Sequence, residues 1–310
     1  MRCFSYLVVV AIIFGTVLTS CKENDDNPRE FNVSFLDSIF VSEHNALSDY
    51  ILQIKHKYEY GCQNRITKRG TVRYGYSDYS LYYNANGDTI KYTSCYISSR
   101  CYRSTFSKNG NKVNISIRYH PTVTLFGSVN GELELNAQGL PVKLMYEQVE
   151  NWGTDIEANM STNTVVTLTW QNGNLTKTER ESNWKSEIII FNLETWEIER
   201  VEREEGSSTG TVLYTHDDKK TPYNHCNTPK WALWMLCYYE QDINFGYNEN
   251  NIKTATSEDG NTITYEYMYN EDGFPVTRTW GEGTITYTET YTYKATGSAS
   301  NEVCSLEGYW

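Results

Sequence analysis

Among 310 residues there are only 6 prolines and 5 histidines, and 27 basic side chains face 39 acidic ones. The resulting charge of −12 removes the basic footprint that a nucleic-acid partner requires. After the first twenty residues no run is apolar for long enough to cross a bilayer as a helix. No cysteine stands in a C-x-x-C spacing, which disfavours both a redox motif and a zinc knuckle. A Gly-rich phosphate loop is also missing. The scarce histidines supply one local cluster, His216, Asp217, Asp218 and His225. Without zinc spacing it reads as a polar loop, and no metal or cofactor is expected.

What the chain has in excess is aromatic: 26 Tyr and 8 Trp. Both favour pleated, half-buried surfaces, so the composition leans towards β structure. From about residue 50 the pattern agrees. Leu52, Ile54, His56, Tyr58 and Tyr60 alternate with Gln53, Lys55, Lys57 and Glu59. Ile285, Tyr287, Tyr291 and Tyr293 oppose Thr284, Thr286, Thr288, Thr290 and Thr292. Period-two alternation of this kind marks antiparallel strands with one packed face and one wet face. Six turn signals separate them: Asn86-Gly87, Asn109-Gly110, Asn130-Gly131, Asn172-Gly173, Asp259-Gly260 and Asp272-Gly273. These pairs tolerate the positive φ of tight hairpins.

A longer phrase recurs around several turns. Tyr83 to Lys91, Leu135 to Lys143 and Tyr269 to Arg278 share an apolar lead, an Asn and a later Gly, and Trp170 to Lys177 is a shortened copy. The irregular intervals argue against equal propeller blades. The expected fold is all-β: an antiparallel hairpin meander forming a sandwich or partial barrel, with one short helix. The helix is expected in Thr228-Pro229-Lys230-Trp231-Ala232-Leu233-Trp234-Met235-Leu236-Cys237, plugging an open end of the sheet, with a buried strand as the competing reading. Ser42 to Tyr50 is a second candidate for a helical turn.

The N-terminus carries an address. Arg2 is followed by the apolar run Leu7 to Phe14, and then by Leu18-Thr19-Ser20-Cys21. A basic start, a short apolar core and small residues before a cleavage point describe a secretory signal. The last four residues resemble a bacterial lipobox, in which cleavage frees Cys21 to carry lipid. An ordinary signal peptide with a chance cysteine is the competing reading. At about 0.8 kcal/mol per buried CH₂, a multiply acylated Cys21 anchors a chain stably. Lys22-Glu23-Asn24-Asp25-Asp26 resembles the surface-export signal of Bacteroidota lipoproteins, and the periplasmic face stays open as an alternative. Losing residues 1–20 removes one arginine, so the mature balance is 26 − 39 = −13. The division is therefore 1–20 signal peptide, 21–45 lipidated cysteine and flexible tether, and 46–310 one antiparallel β domain. Of eight cysteines, Cys3 leaves with the signal and Cys21 takes lipid. Cys62, Cys95, Cys101, Cys226, Cys237 and Cys304 remain, an even number that suits disulfides and permits 15 connectivities. Cys95 with Cys101 and Cys226 with Cys237 are the near neighbours.

The aromatic–Asn–x–x–Gly–x–x–x–Lys phrase resembles the YD-type repeats of secreted bacterial proteins. With the lipobox, Tyr214 to Tyr223 and Asn248 to Ile252, it resembles a Bacteroidota surface lipoprotein family of unknown function with a porin-like β fold, over roughly residues 50 to 295. That resemblance implies an antiparallel all-β fold and transfers no catalytic residue. A spanning barrel would show lipid an apolar face on every strand, whereas the second faces here carry Gln, Lys and Glu.

The search for chemistry gives no catalytic residue. Glu132 with Glu134, Glu179 with Glu181 and Glu197 with Glu199 place paired carboxylates on single strand faces, a spacing that a glycoside hydrolase could use. A solvent-facing acidic strand produces the same pairs. Tyr265, Tyr267 and Tyr269 line one face, as Tyr74 and Tyr76 do elsewhere, and such rows can stack sugars or simply form cross-strand core pairs. The expected role is an outer-membrane-anchored, non-enzymatic structural or interaction module. A glycan-binding surface module is the alternative and a glycoside hydrolase a remote one. Its partners are the membrane, through the lipid, and a glycan or surface protein.

Overall fold

A computed structural model describes residues 34–45, 50–60, 66–73, 75–83, 89–96, 100–119, 125–152, 156–192, 195, 197–222, 227–239 and 247–295. Its strands are β1 (Ser34–Asn45), β2 (Tyr50–Tyr60), β3 (Ile66–Arg73), β4 (Gly75–Tyr83), β5 (Thr89–Tyr96) and β6 (Arg100–Asn109). There follow β7 (Lys112–Tyr119), β8 (Leu125–Leu135), β9 (Pro141–Trp152), β10 (Ile156–Gln171), β11 (Asn174–Phe191) and β12 (Ile198–Lys220). Helix α1 (Lys230–Tyr239) interrupts the series before β13 (Asn250–Ser257), β14 (Thr262–Thr264), β15 (Glu266–Tyr269), β16 (Pro275–Glu282) and β17 (Ile285–Ala295).

Every ladder is antiparallel, and nearly every one joins strands adjacent in sequence. The sheet curls until β1 pairs with β2 on one edge and with β17 on the other. The ladder is broken at Tyr265, where the chain leaves β13, the partner of β14, for β16, the partner of β15. An antiparallel meander forming a partial barrel with one helix is what the alternation and turns predicted.

Antiparallel succession sends the connections alternately to two rims. One rim holds the entry to β1 at Ser34, the turns at Gly110, Gly139, Gly173 and Gly273, the segment carrying α1, and the end of β17. Contacts between these connections agree: Leu135 N–H donates to Asn111 O at 2.7 Å, Glu249 N–H to Gly173 O at 3.3 Å, and Lys220 Nζ lies 5.2 Å from the Phe274 ring centre. The opposite rim carries the β11–β12 connection and the turns at Gly260 and Gly283.

The inner face is apolar. Val113, Ile115, Ile117, Val129, Leu133, Leu144, Val166 and Leu168 are buried there, together with Trp231, Ala232, Leu233, Trp234 and Met235 of α1. The helix therefore fills one end of the curled sheet, as the sequence led us to expect. Its first turn hangs on Pro229, whose carbonyl accepts from Ala232 and Leu233 N–H. Trp234 stacks on Tyr238 at 5.0 Å, and the Tyr238 and Tyr146 hydroxyls lie 3.1 Å apart. The outward positions of the longest strands are polar: Asn159, Asn163, Thr167 and Thr169 on β10, Glu179, Glu181, Asn183 and Lys185 on β11, Arg203, Glu205, Ser207 and Thr209 on β12. This is the inverse of a lipid-facing barrel, which is apolar outside.

Three expectations are corrected. Asn130-Gly131 is no turn but the middle of β8. Gly131 sits there because the backbone passes against β9: a Cβ would lie 2.6 Å from Tyr146 Cβ and closer still to the Met145 carbonyl oxygen. Ser42 to Asn45 belong to β1 rather than to a helical turn. The sheet also begins at Ser34, inside the stretch assigned to the tether, because Ser34 to Asn45 find pairing partners along β17.

Candidate functional site

The recurring phrase has a hydrogen-bond explanation. In the copy at Leu135 the Asn136 side-chain oxygen accepts from Gln138 and Leu140 N–H, both at 2.9 Å, while Gly139 N–H donates to Asn136 O at 3.0 Å. In the copy at Tyr269, Asn270 Oδ1 accepts from Phe274 N–H at 2.9 Å and Gly273 N–H donates to Asn270 O at 3.0 Å. The Asn closes the loop with its side chain and the Gly takes φ of +76° or +79°. The phrase is turn chemistry.

Tyr265, Tyr267 and Tyr269 do share a face, and it is the inner one; Glu266 and Met268 between them are exposed. Tyr267 and Tyr269 stack at 5.8 Å with 20° between their planes. The Tyr267 hydroxyl donates to Ile252 O at 2.9 Å, and that of Tyr269 donates to the Asp217 carboxylate. Burial pushes the Tyr265 phenol up to about 12 and raises those of Tyr267 and Tyr269 as well.

Beside them lies a buried ion pair. Arg278 on β16 and Glu289 on β17, 1% and 0% exposed, face each other across the ladder, with Nη2 2.8 Å from Oε1. The Tyr291 hydroxyl donates to the other Glu289 oxygen at 2.5 Å. The guanidinium sits 4.5 Å from the Trp280 ring centre and 5.2 Å from that of Tyr265. Burial pushes the Glu289 carboxyl up while Arg278 pulls it back. Sequence reasoning missed this pair, although its signal was present: the inner series Ile285, Tyr287, Tyr291, Tyr293 skips the position that Glu289 fills.

His216 and Asp217 stand where the β12–β13 register slips, between Thr215 and Lys220. Asp217 organises that irregularity, its Oδ1 accepting from Lys219 N–H at 2.9 Å and Asn251 N–H at 3.2 Å. Desolvation lowers the His216 imidazole to about 4, and its Nε2 is buried without a hydrogen-bond partner among the described residues. Asp218 is exposed and ion-paired with Lys219 at 3.3 Å. Among the described residues no three His, Cys, Asp or Glu side chains converge on a metal position. His225, Tyr74, Cys21 and the Tyr76 side chain lie outside the described residues and side chains. Of the carboxylate pairs, Glu132 is tied to Lys112 at 2.6 Å and Glu179 to Lys177 at 2.7 Å, while Glu197 and Glu199 are exposed.

Sequence reasoning also missed a hollow of ≈ 550 Å³ on the outer face of β9 to β12, towards the rim opposite Ser34. Its outward lining is Val149, Asn159, Ser161, Lys185, Glu187, Arg203 and Glu205. Cross-strand ion pairs run along its floor, Arg203 to Glu187 at 2.5 Å and Lys185 to Glu205 at 3.5 Å. On the inner side Trp184 covers Gly206, its directly opposed neighbour, where a Cβ would come within 2.7 Å of the indole. The hollow offers amide, hydroxyl, carboxylate and guanidinium groups on one shallow surface.

Two solved structures resemble the chain. A porin-like protein from Bacteroides uniformis ATCC 8492 matches with TM-score 0.32 and 10% identity over 84% of this chain and 96% of that one. A porin-like protein from Bacteroides vulgatus ATCC 8482 matches with TM-score 0.41 and 11% identity over 82% of this chain and 97% of that one. No family model and no curated protein matches.

Proposed function

We propose that the chain is an exported lipoprotein, acylated at Cys21 and held on the outer membrane, serving as a non-enzymatic interaction module at the cell surface. The observation that carries this reading is the run Leu18-Thr19-Ser20-Cys21 directly behind a short apolar stretch. Two features of the fold support it. The outward positions of β10 to β12 are polar, as suits a domain held beside a membrane rather than within one. The chain also enters β1 on the rim plugged by α1, so a tether there turns the rim of the β11–β12 connection outwards. Display on the periplasmic face is the competing placement.

Labelled palmitate fed to a bacterial host tests the anchor. Wild-type chain incorporates label and Cys21→Ser does not; equal labelling of the two removes the lipid reading. Protease added to intact cells then separates the surface, where the domain is digested, from the periplasmic face, where it survives.

A second reading, glycan binding, is favoured by the polar outer hollow, whose amide, carboxylate and guanidinium groups can hydrogen-bond vicinal hydroxyls. The detergent-solubilised chain on a glycan array tests it. Saturable binding lost in Arg203→Ala supports a saccharide ligand in the hollow. A blank array leaves a protein partner, and steady turnover of any glycan overturns the non-enzymatic reading.

A further inference from the structure

We infer that Cys95 and Cys101 form a disulfide across the β5–β6 ladder. The register places these two residues directly opposite each other, between the pairs Ser94↔Tyr102 and Tyr96↔Arg100. Directly opposed antiparallel residues have Cα atoms about 4.5 Å apart in a non-hydrogen-bonded pair and about 5.5 Å in a hydrogen-bonded one. Both separations fall within the range of roughly 4.4–6.8 Å that a disulfide spans. The register therefore meets the Cα separation that the bond requires. Fifteen connectivities were open to six cysteines from sequence alone; a bond on this rung reduces them to the three that contain Cys95–Cys101.

The bond closes the β5–β6 hairpin on the rim opposite Ser34, away from the proposed anchor. Its formation balances with an external disulfide, such as oxidised glutathione, as oxidant. One cysteine thiolate attacks the glutathione disulfide and expels glutathione thiolate, leaving a mixed disulfide. The second cysteine thiolate then attacks the protein sulfur and expels the second glutathione. Two protein thiols are oxidised, and one glutathione disulfide is reduced to two thiols.

Arg100 lies between the two cysteines and makes the test direct. Full-length chain purified in detergent is equilibrated with oxidised glutathione, alkylated without reduction and digested with trypsin. Cleavage after Lys91, Arg100 and Arg103 puts Cys95 in peptide 92–100 and Cys101 in peptide 101–103. The expected result is one linked species of the two peptides that separates on reduction. In Cys95→Ser that species is absent, and Cys101 is recovered alkylated or as its glutathione adduct. Recovery of Cys95 or Cys101 as alkylated monomers from the wild type overturns the inference, as does linkage of either to Cys62, Cys226, Cys237 or Cys304. Because the oxidant is supplied in vitro, the outcome is independent of whether the chain is exported. The same digest of envelope-derived protein reports on export separately.

Discussion

Replacing Arg278 by Met strips Glu289 of the guanidinium opposite it on β16 and leaves a fully buried carboxylate that still accepts from the Tyr291 hydroxyl. The cheapest response of that site is to bind a proton. With an unfolded carboxyl near 4.3, holding Glu289 neutral at pH 7 costs about 1.36 × (7.0 − 4.3), or about 3.7 kcal/mol, close to the roughly 3–5 kcal/mol typical of a broken buried pair. Ser34 through Ala295 span 295 − 34 + 1 = 262 residues. At about 2.1 cal/mol/K per residue they unfold with an entropy of about 0.55 kcal/mol/K, so Tm falls by about 7 °C. The sign with pH follows from Glu289 titrating higher in the folded variant than in the unfolded chain. Stability is regained as pH falls, and at pH 5 the same arithmetic leaves a cost of about 1 kcal/mol. Glu289→Leu behaves differently, because a guanidinium cannot shed its proton, and its cost stays flat between pH 5 and 7. The double variant, with both charges gone, costs less than the two singles summed. Urea unfolding of the four proteins at both pH values is the assay. Additive singles, or an Arg278→Met cost unchanged at pH 5, would refute the reasoning.

Three further outcomes are expected. Desolvation in the folded chain holds the His216 imidazole down at about 4, well below its ordinary 6.5. Discounted for its partial exposure, that is about 1–2 kcal/mol of stability, present above pH 6.5 and lost as pH falls towards 4, and the acid limb of a urea-midpoint profile flattens in His216→Gln. Gly131→Ala forces β8 away from Tyr146 and costs about 1–3 kcal/mol of overpacking, whereas Gly139→Ala meets no atom within 4 Å and is penalised only through its positive φ. Asn136→Ala and Asn270→Ala each remove side-chain acceptors that close a rim turn, costing about 0.5–2 kcal/mol by analogy with helix caps, while Asn163→Ala on the open outer face changes the unfolding midpoint little.

Local chemistry was legible in the sequence and non-local chemistry was not. Tyr291 is buried while Thr286, Thr290 and Thr292 are exposed, as period-two alternation demands. The apolar run after Pro229 became a helix that buries Trp231 to Met235, because so dense an apolar run has little wet face to offer. Asn130-Gly131 misled because a glycine chosen for close backbone approach has the same letter as one chosen for positive φ. Only the neighbour, Tyr146, distinguishes the two, and it is fifteen positions away. Glu289 looked like one more acid in a chain rich in acids, since its partner Arg278 is visible only once β16 and β17 are in register. The tyrosine row was read correctly as sharing a face, but which side of the sheet that face occupies depends on the curl of all the strands. The outer hollow spans four strands and has no linear signature.

The β1–β17 ladder also imposes a schedule. Synthesis releases β1 first and its partner β17 last, with Ser34 opposite Ala295 and 295 − 34 = 261 positions behind it in the chain. At roughly 5–20 residues per second the ribosome needs about 13–52 s to supply that gap. Throughout the interval β2 covers one edge of β1, and the other edge stays open to any passing strand. The molecule is thus most vulnerable as a nearly finished sheet, and it gains its last ladder only when the final strand arrives.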